Sequence, residues 1–117
     1  MSHEVFGCAE TDTILAASQI MAKHNIGALV VLREGSLAGI VSERDVVAKV
    51  VAKKLDVQSV LVKDVMTRNV QTLPLDASLL DITRLMNKYH FRHIVIVDDG
   101  KVVGILTAKD VIDMVSG

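Results

Sequence analysis

Little in this sequence could hold the chain together covalently or stiffen it. A single cysteine, Cys8, excludes an intramolecular disulfide and any multi-cysteine metal site, and reads as a small buried hydrophobe. One proline and no glycine- or serine-rich stretch leave nothing that resembles a flexible linker. Tryptophan is absent and only Phe6, Tyr89 and Phe91 are aromatic, too few for a base-stacking platform on single-stranded nucleic acid. Basic and acidic residues nearly balance, 13 against 14, and no more than two basic residues adjoin (Lys53-Lys54), so the basic face of a nucleic-acid binder is missing. No apolar run approaches the roughly 20 residues of a membrane span. The start, Met1-Ser2-His3-Glu4-Val5, has neither the basic nor the apolar region of a secretory leader. The expectation is a cytoplasmic protein with no membrane partner and little in its charge to support a nucleic-acid one.

What is present is hydrophobic and repeated. Half of the 117 residues are apolar, so disorder is excluded, and the length suits one domain with a core of its own. Gly39-Ile40-Val41-Ser42-Glu43-Arg44-Asp45-Val46 returns as Gly104-Ile105-Leu106-Thr107-Ala108-Lys109-Asp110-Val111, an offset of 65 (104 − 39). The same offset carries Leu15 onto Leu80, Met21 onto Met86, Val30 onto Val95 and Gly35 onto Gly100. Two copies of a unit longer than about 50 residues are not a solenoid, which stacks three or more shorter units. They predict a pseudo-symmetric pair with two related clefts, the first unit over 1–58 and the second over 59–117.

Each copy predicts strand, helix, strand, strand, helix, an α+β unit. Leu79, Ile82, Leu85, Met86 and Tyr89 recur at helical spacing behind Asp76-Ala77-Ser78, as do Ile14, Ala17, Ile20, Met21 and His24 behind Thr11-Asp12-Thr13. Two apolar runs follow in each copy, joined across Arg33-Glu34-Gly35-Ser36 and Asp98-Asp99-Gly100-Lys101, and predict hairpins. The last helix of each copy runs from Arg44 to about Leu55 and from Ala108 to about Val115.

The element able to carry chemistry is Ser42-x-x-Asp45 with its twin Thr107-x-x-Asp110, each where a strand turns into a helix. A hydroxyl followed three residues later by a carboxylate is a helix capping box, with the acid also favoured at the positive end of the helix dipole. The same groups can form a polar rim around an apolar cleft. Amides at a helix N-terminus bind phosphate, and a carboxylate set apart from them can accept from a vicinal diol, which suits a ribonucleotide. The two roles are compatible.

The whole pattern, with GIVSERD and GILTAKD closing the hairpins and Lys63-Asp64-Val65-Met66-Thr67 heading the second copy, resembles a tandem pair of cystathionine β-synthase (CBS) domains, a Bateman module. The resemblance covers essentially the whole chain. It implies two units packed through their sheets about a pseudo-two-fold, with two clefts for adenosine-containing ligands. The ribose-binding carboxylates would be Asp45 and Asp110, and the hydroxyls beside them Ser42 and Thr107. Arg44 and Lys109 precede the acids and could meet phosphate, or be solvated. Met66, Thr67 and Val70 would wall the base in one cleft, and Val5, Ile26, Gly27 and Ala28 in the other.

The copies diverge before the second strand, where His90, Arg92 and His93 stand as possible phosphate cations, Arg92 foremost for its planar fork. No carboxylate or cysteine completes a metal set with them. Val62 to Thr67 lead into the second unit, a lead-in the first would lack. Neither a nucleophile with a nearby base nor a Gly-rich phosphate loop argues for an enzyme. The resemblance therefore implies a stand-alone regulatory module that needs no cofactor, binds AMP, ADP or ATP, forms a homodimer and signals to an effector protein in trans. Alternatives are an assembly homodimer with vestigial clefts, an S-adenosyl ligand, or nucleic-acid binding.

Overall fold

The computed structural model describes residues 5–89 and 93–116. The chain forms β1 (Gly7–Ala9), α1 (Ile14–His24), β2 (Ala28–Arg33), β3 (Ser36–Ser42), α2 (Glu43–Val46) continued by a π-helical turn (Val47–Val51), β4 (Thr72–Pro74), α3 (Leu79–Tyr89), β5 (His93–Asp98), β6 (Lys101–Thr107) and α4 (Ala108–Ser116). Every strand of the first half reappears 65 residues later with the same bounds, and so does α1. The fold is α+β, with two three-stranded sheets ordered β1-β2-β3 and β4-β5-β6.

In each sheet the outer short strand runs parallel to the central strand and the hairpin partner runs antiparallel. The repeat extends to irregularities. A register shift falls between Val31 and Leu32 and again between Ile96 and Val97. The hairpin turns put Glu34-Gly35 and Asp99-Gly100 at positive φ, where an acidic residue is tolerated and glycine is favoured.

Contacts divide the chain into two compact units, one over Phe6–Asn69 and the other over 70–116 together with Val5. The repeat boundary at 58/59 and the packing boundary at 69/70 thus differ. Residues 59–67 are the reason. Ile14 N–H donates to the Val60 carbonyl at 2.9 Å and Leu15 N–H to that of Val57 at 2.9 Å, so this crossing segment covers the start of α1. Val62, Val65 and Met66 are buried in the same core as Ile14, Met21, Leu29, Val41 and Val50. Met66-Thr67 then lies along β3, where Ile40 and Thr67 exchange two backbone hydrogen bonds of 3.0 and 2.8 Å. The lead-in expected to serve the second unit belongs to the packing of the first.

Among the described residues the core of the second unit is built on Ile82, Ile94, Ile96, Leu106 and Val111 and is smaller than that of the first. No described segment covers the start of α3 as 57–60 covers α1. Ile14 is 0% exposed and its twin Leu79 is 38% exposed. Burying an aliphatic side chain fully is worth about 1.5–3 kcal/mol, so the uncovered unit draws less stability from the same helix position.

Candidate functional site

Both acidic motifs sit at strand-to-helix junctions, and both form complete capping boxes. Ser42 is extended at φ −123°, and its hydroxyl accepts from Asp45 N–H at 3.2 Å while the Asp45 carboxylate accepts from Ser42 N–H at 2.9 Å. Thr107 and Asp110 repeat this at 3.2 and 2.9 Å. Two otherwise orphaned amides are satisfied at each helix start, which fixes the orientation of each carboxylate. A third box, Ser78 with Asp81, starts α3, and Thr13 caps α1 through Ala16 N–H at 3.1 Å.

Beyond the box the two motifs are unequal. Asp45 is only 8% exposed. Ser42 Oγ also donates to its Oδ2 at 3.0 Å, and Lys49 Nζ pairs with its Oδ1 at 2.9 Å. The same ammonium donates to the Val65 carbonyl at 2.9 Å, tying the motif to the segment that closes the core. Asp110 is half-buried, and among the described residues no ion pair forms at it. The twin of Lys49 is Met114. Sequence reasoning passed over Lys49, although its i+4 spacing from Asp45 is a readable ion-pair signal.

The other expected site residues divide by unit. Ser42, Arg44, Asp45, Ile26, Gly27, Ala28, Met66 and Thr67 fall in the first, and Val5, Val70, His93, Thr107, Lys109 and Asp110 in the second. Gly27 follows α1, and its carbonyl accepts from Glu43 N–H at 2.9 Å, bringing Ile26–Ala28 against the start of α2. Ala28 is buried and Ile26 packs on the core. Met66 is a buried core side chain and Thr67 holds β3 through its backbone. Arg44 and Lys109 are exposed. His93 opens β5 opposite Thr107. Arg92, with His90, lies outside the described residues.

Phe6 stacks on His24 with ring centroids 3.8 Å apart and 18° between planes, an aromatic contact that the spacing of the two residues did not announce. Cys8 is buried on β1, and burial, with the negative charge of Asp12 added, pushes its thiol up to about 11. A thiol held that far above neutrality is not a nucleophile. Among the described residues no group of His, Cys, Asp and Glu could hold a metal ion, and no helix is long and apolar enough to cross a membrane.

Two β-α-β-β-α units in tandem, each ending its hairpin on a capped acidic motif, define a paired α+β module. The chain belongs to the CBS domain family, whose sequence model matches residues 1–52 and 62–117. It is 34% identical over 110 residues to the mitochondrial CBS domain-containing protein CBSX3 of Arabidopsis thaliana, covering 90% of this chain and 53% of the relative, so it spans about half that protein's length. The solved structure of the CBS domain NE2398 superposes with a TM-score of 0.90 at 35% identity, over 99% of this chain and 91% of the other. A CBS-domain protein of Burkholderia ambifaria, provisionally described as acting in signal transduction, superposes at 0.88 with 30% identity, over 97% and 83%.

Proposed function

We propose that this chain is a regulatory CBS module that binds an adenine nucleotide, AMP, ADP or ATP, and passes the bound state to a partner protein. The observation that carries this reading is the Thr107-x-x-Asp110 junction. There a carboxylate is held by a backbone amide at 2.9 Å at the end of β6 and the start of α4, half-buried and without an ion-pair partner among the described residues. A fixed carboxylate accepts well from two neighbouring hydroxyls, and the amides of a helix start favour a negatively charged phosphate. The hydroxyl of Thr107 and the exposed Lys109 stand beside it for the ribose and phosphate, with Val70, Val5 and His93 in the same unit. Regulation is supported by the kinship with a protein provisionally ascribed to signal transduction.

The module is proposed to act as a homodimer. Val47 and Val51 expose apolar side chains one turn apart on the π-helical turn, Leu55 exposes another just beyond it, and Ile112, twin of Val47, does the same on α4. Twin apolar faces suit an isologous contact with a second copy.

Isothermal titration with AMP, ADP, ATP, NAD and S-adenosylmethionine tests the nucleotide reading. Micromolar binding by one or more of the first three is expected. Binding of S-adenosylmethionine alone, or of none of the five, contradicts it.

A further inference from the structure

We infer that Lys49 is a built-in counter-ion that reserves Asp45 for structure, leaving Asp110 as the motif carboxylate open to a ligand. The first clause stands on contacts within one unit; the second rests on the nucleotide reading above. An ionised carboxylate offers about four acceptor positions. At Asp45, Ser42 N–H and Ser42 Oγ–H both take Oδ2, and the Lys49 ammonium takes Oδ1. Three positions are used, and a vicinal diol needs two. At Asp110 the cap uses one, through Thr107 N–H, among the described residues.

Lys49 is also well placed to keep out a competitor. Its ammonium sits 2.9 Å from Oδ1, on a side chain 45% exposed against 11% for that of Asp45, so it occupies the carboxylate oxygen that the cap leaves open. Lys49 brings a full positive charge to the carboxylate where a hydroxyl brings only a dipole, so a hydroxyl that displaced it would leave a largely buried carboxylate without its counter-charge. The ammonium is pinned a second time, to the Val65 carbonyl, one residue before the Met66-Thr67 stretch that pairs with β3. The lysine therefore fastens three elements: the helix start at Asp45, the π-helical turn Val47–Val51 that carries it, and the crossing segment. The twin side chain, Met114, has no proton to donate. In a chain whose halves repeat so faithfully, this Lys-to-Met difference separates a latch from a binding group.

The test counts bound ATP per chain by titration at saturation and by native mass spectrometry. Wild type is expected to bind one, and Asp110→Ala to bind none. Lys49→Met is expected to bind two, returning to one when Asp45→Ala is added, and Lys49→Arg, which keeps the cation, to stay at one. A merely structural lysine would change stability and leave these numbers alone. Two ATP per wild-type chain, or one in folded Lys49→Met, overturns the inference. If no protein in the set binds ATP, AMP or ADP, the nucleotide reading fails, and melting of Asp45→Asn, Lys49→Met and their combination decides the latch. A double variant no less stable than its worse single supports the latch, and additive losses overturn it.

Discussion

Gly39 and Gly104 are the same residue at twin positions, and adding one methyl group to each should have opposite effects. A Cβ on Gly39 would lie 2.5 Å from the Thr67 carbonyl oxygen and 3.1 Å from the Met66 sulfur. The first distance is impossible, so Met66-Thr67 must lift from β3. Two backbone hydrogen bonds between Ile40 and Thr67 are then lost, at about 0.5–1.5 kcal/mol each, and burial of Met66 is loosened, at up to about 1.5–3 kcal/mol. Alanine recovers about 0.5–1 kcal/mol of strand entropy. The net expectation for Gly39→Ala is a loss of about 2–4 kcal/mol. At Gly104 the nearest atom outside the adjoining residues is the Ile96 Cβ at 3.8 Å, an ordinary contact. Only the entropy gain remains, so Gly104→Ala should be neutral or stabilising by about 0.5–1 kcal/mol. With an unfolding entropy near 2.1 cal/mol/K per residue, 117 residues shift by about 4 °C per kcal/mol. Gly39→Ala should melt about 8–16 °C lower and Gly104→Ala a few degrees higher, read by circular dichroism and checked by urea titration. Equal shifts for the two variants would refute the role given to the crossing segment.

Three further outcomes are expected. Cys8 should resist thiol-specific alkylation at neutral pH in the folded protein and react once unfolded; because its folded pKa, about 11, lies above its unfolded value near 9.0, the melting temperature should fall as pH rises from about 9 to 11. Rapid labelling of native protein at pH 7 would contradict the buried placement. Light scattering at micromolar concentration should give twice the 12.7 kDa chain mass, with Val47→Asp shifting the mass toward the monomer; a monomeric wild type would refute the pairing. ATP should bind more tightly than dATP by about 1–3 kcal/mol, since a missing hydroxyl leaves the carboxylate underbonded, and equal affinity would remove the ribose role.

The sequence already contained most of the architecture because a repeat is a form of evidence that single-element propensity is not. Hydrophobic period and turn residues predicted each element, and the offset of 65 required each to be true twice; the strand bounds, the hairpin turns and both capping boxes follow it. Differences between the copies were the harder part. Residues 59–67 read as the head of the second copy because the repeat reports descent and not packing, yet the apolar Val62, Val65 and Met66 complete the first core. Met66 and Thr67 were expected as walls for a base; Met66 is a core side chain, and the exposed Thr67 is held to β3 through its backbone. Gly39 and Gly104 cannot be told apart in the sequence, since what distinguishes them is a segment that lies against only one of them. Asp45 and Asp110 looked equivalent for the same reason. Their difference depends on one side chain four residues on, and on the π-helical turn from which it reaches both Asp45 and Val65.

The most direct measurement is the affinity of ATP for Asp110→Ala beside wild type, each shown to be folded by its melting curve. As a lost cap alone, the substitution should lower stability by about 0.5–2 kcal/mol. As a lost ribose anchor it should also weaken ATP by about 1.5–3 kcal/mol, roughly ten- to a hundredfold. Micromolar binding to wild type with that loss in the variant is the expected result. Unchanged affinity in a folded Asp110→Ala protein, or a wild type that does not bind ATP, AMP or ADP, would contradict it and leave Asp110 as a helix cap only.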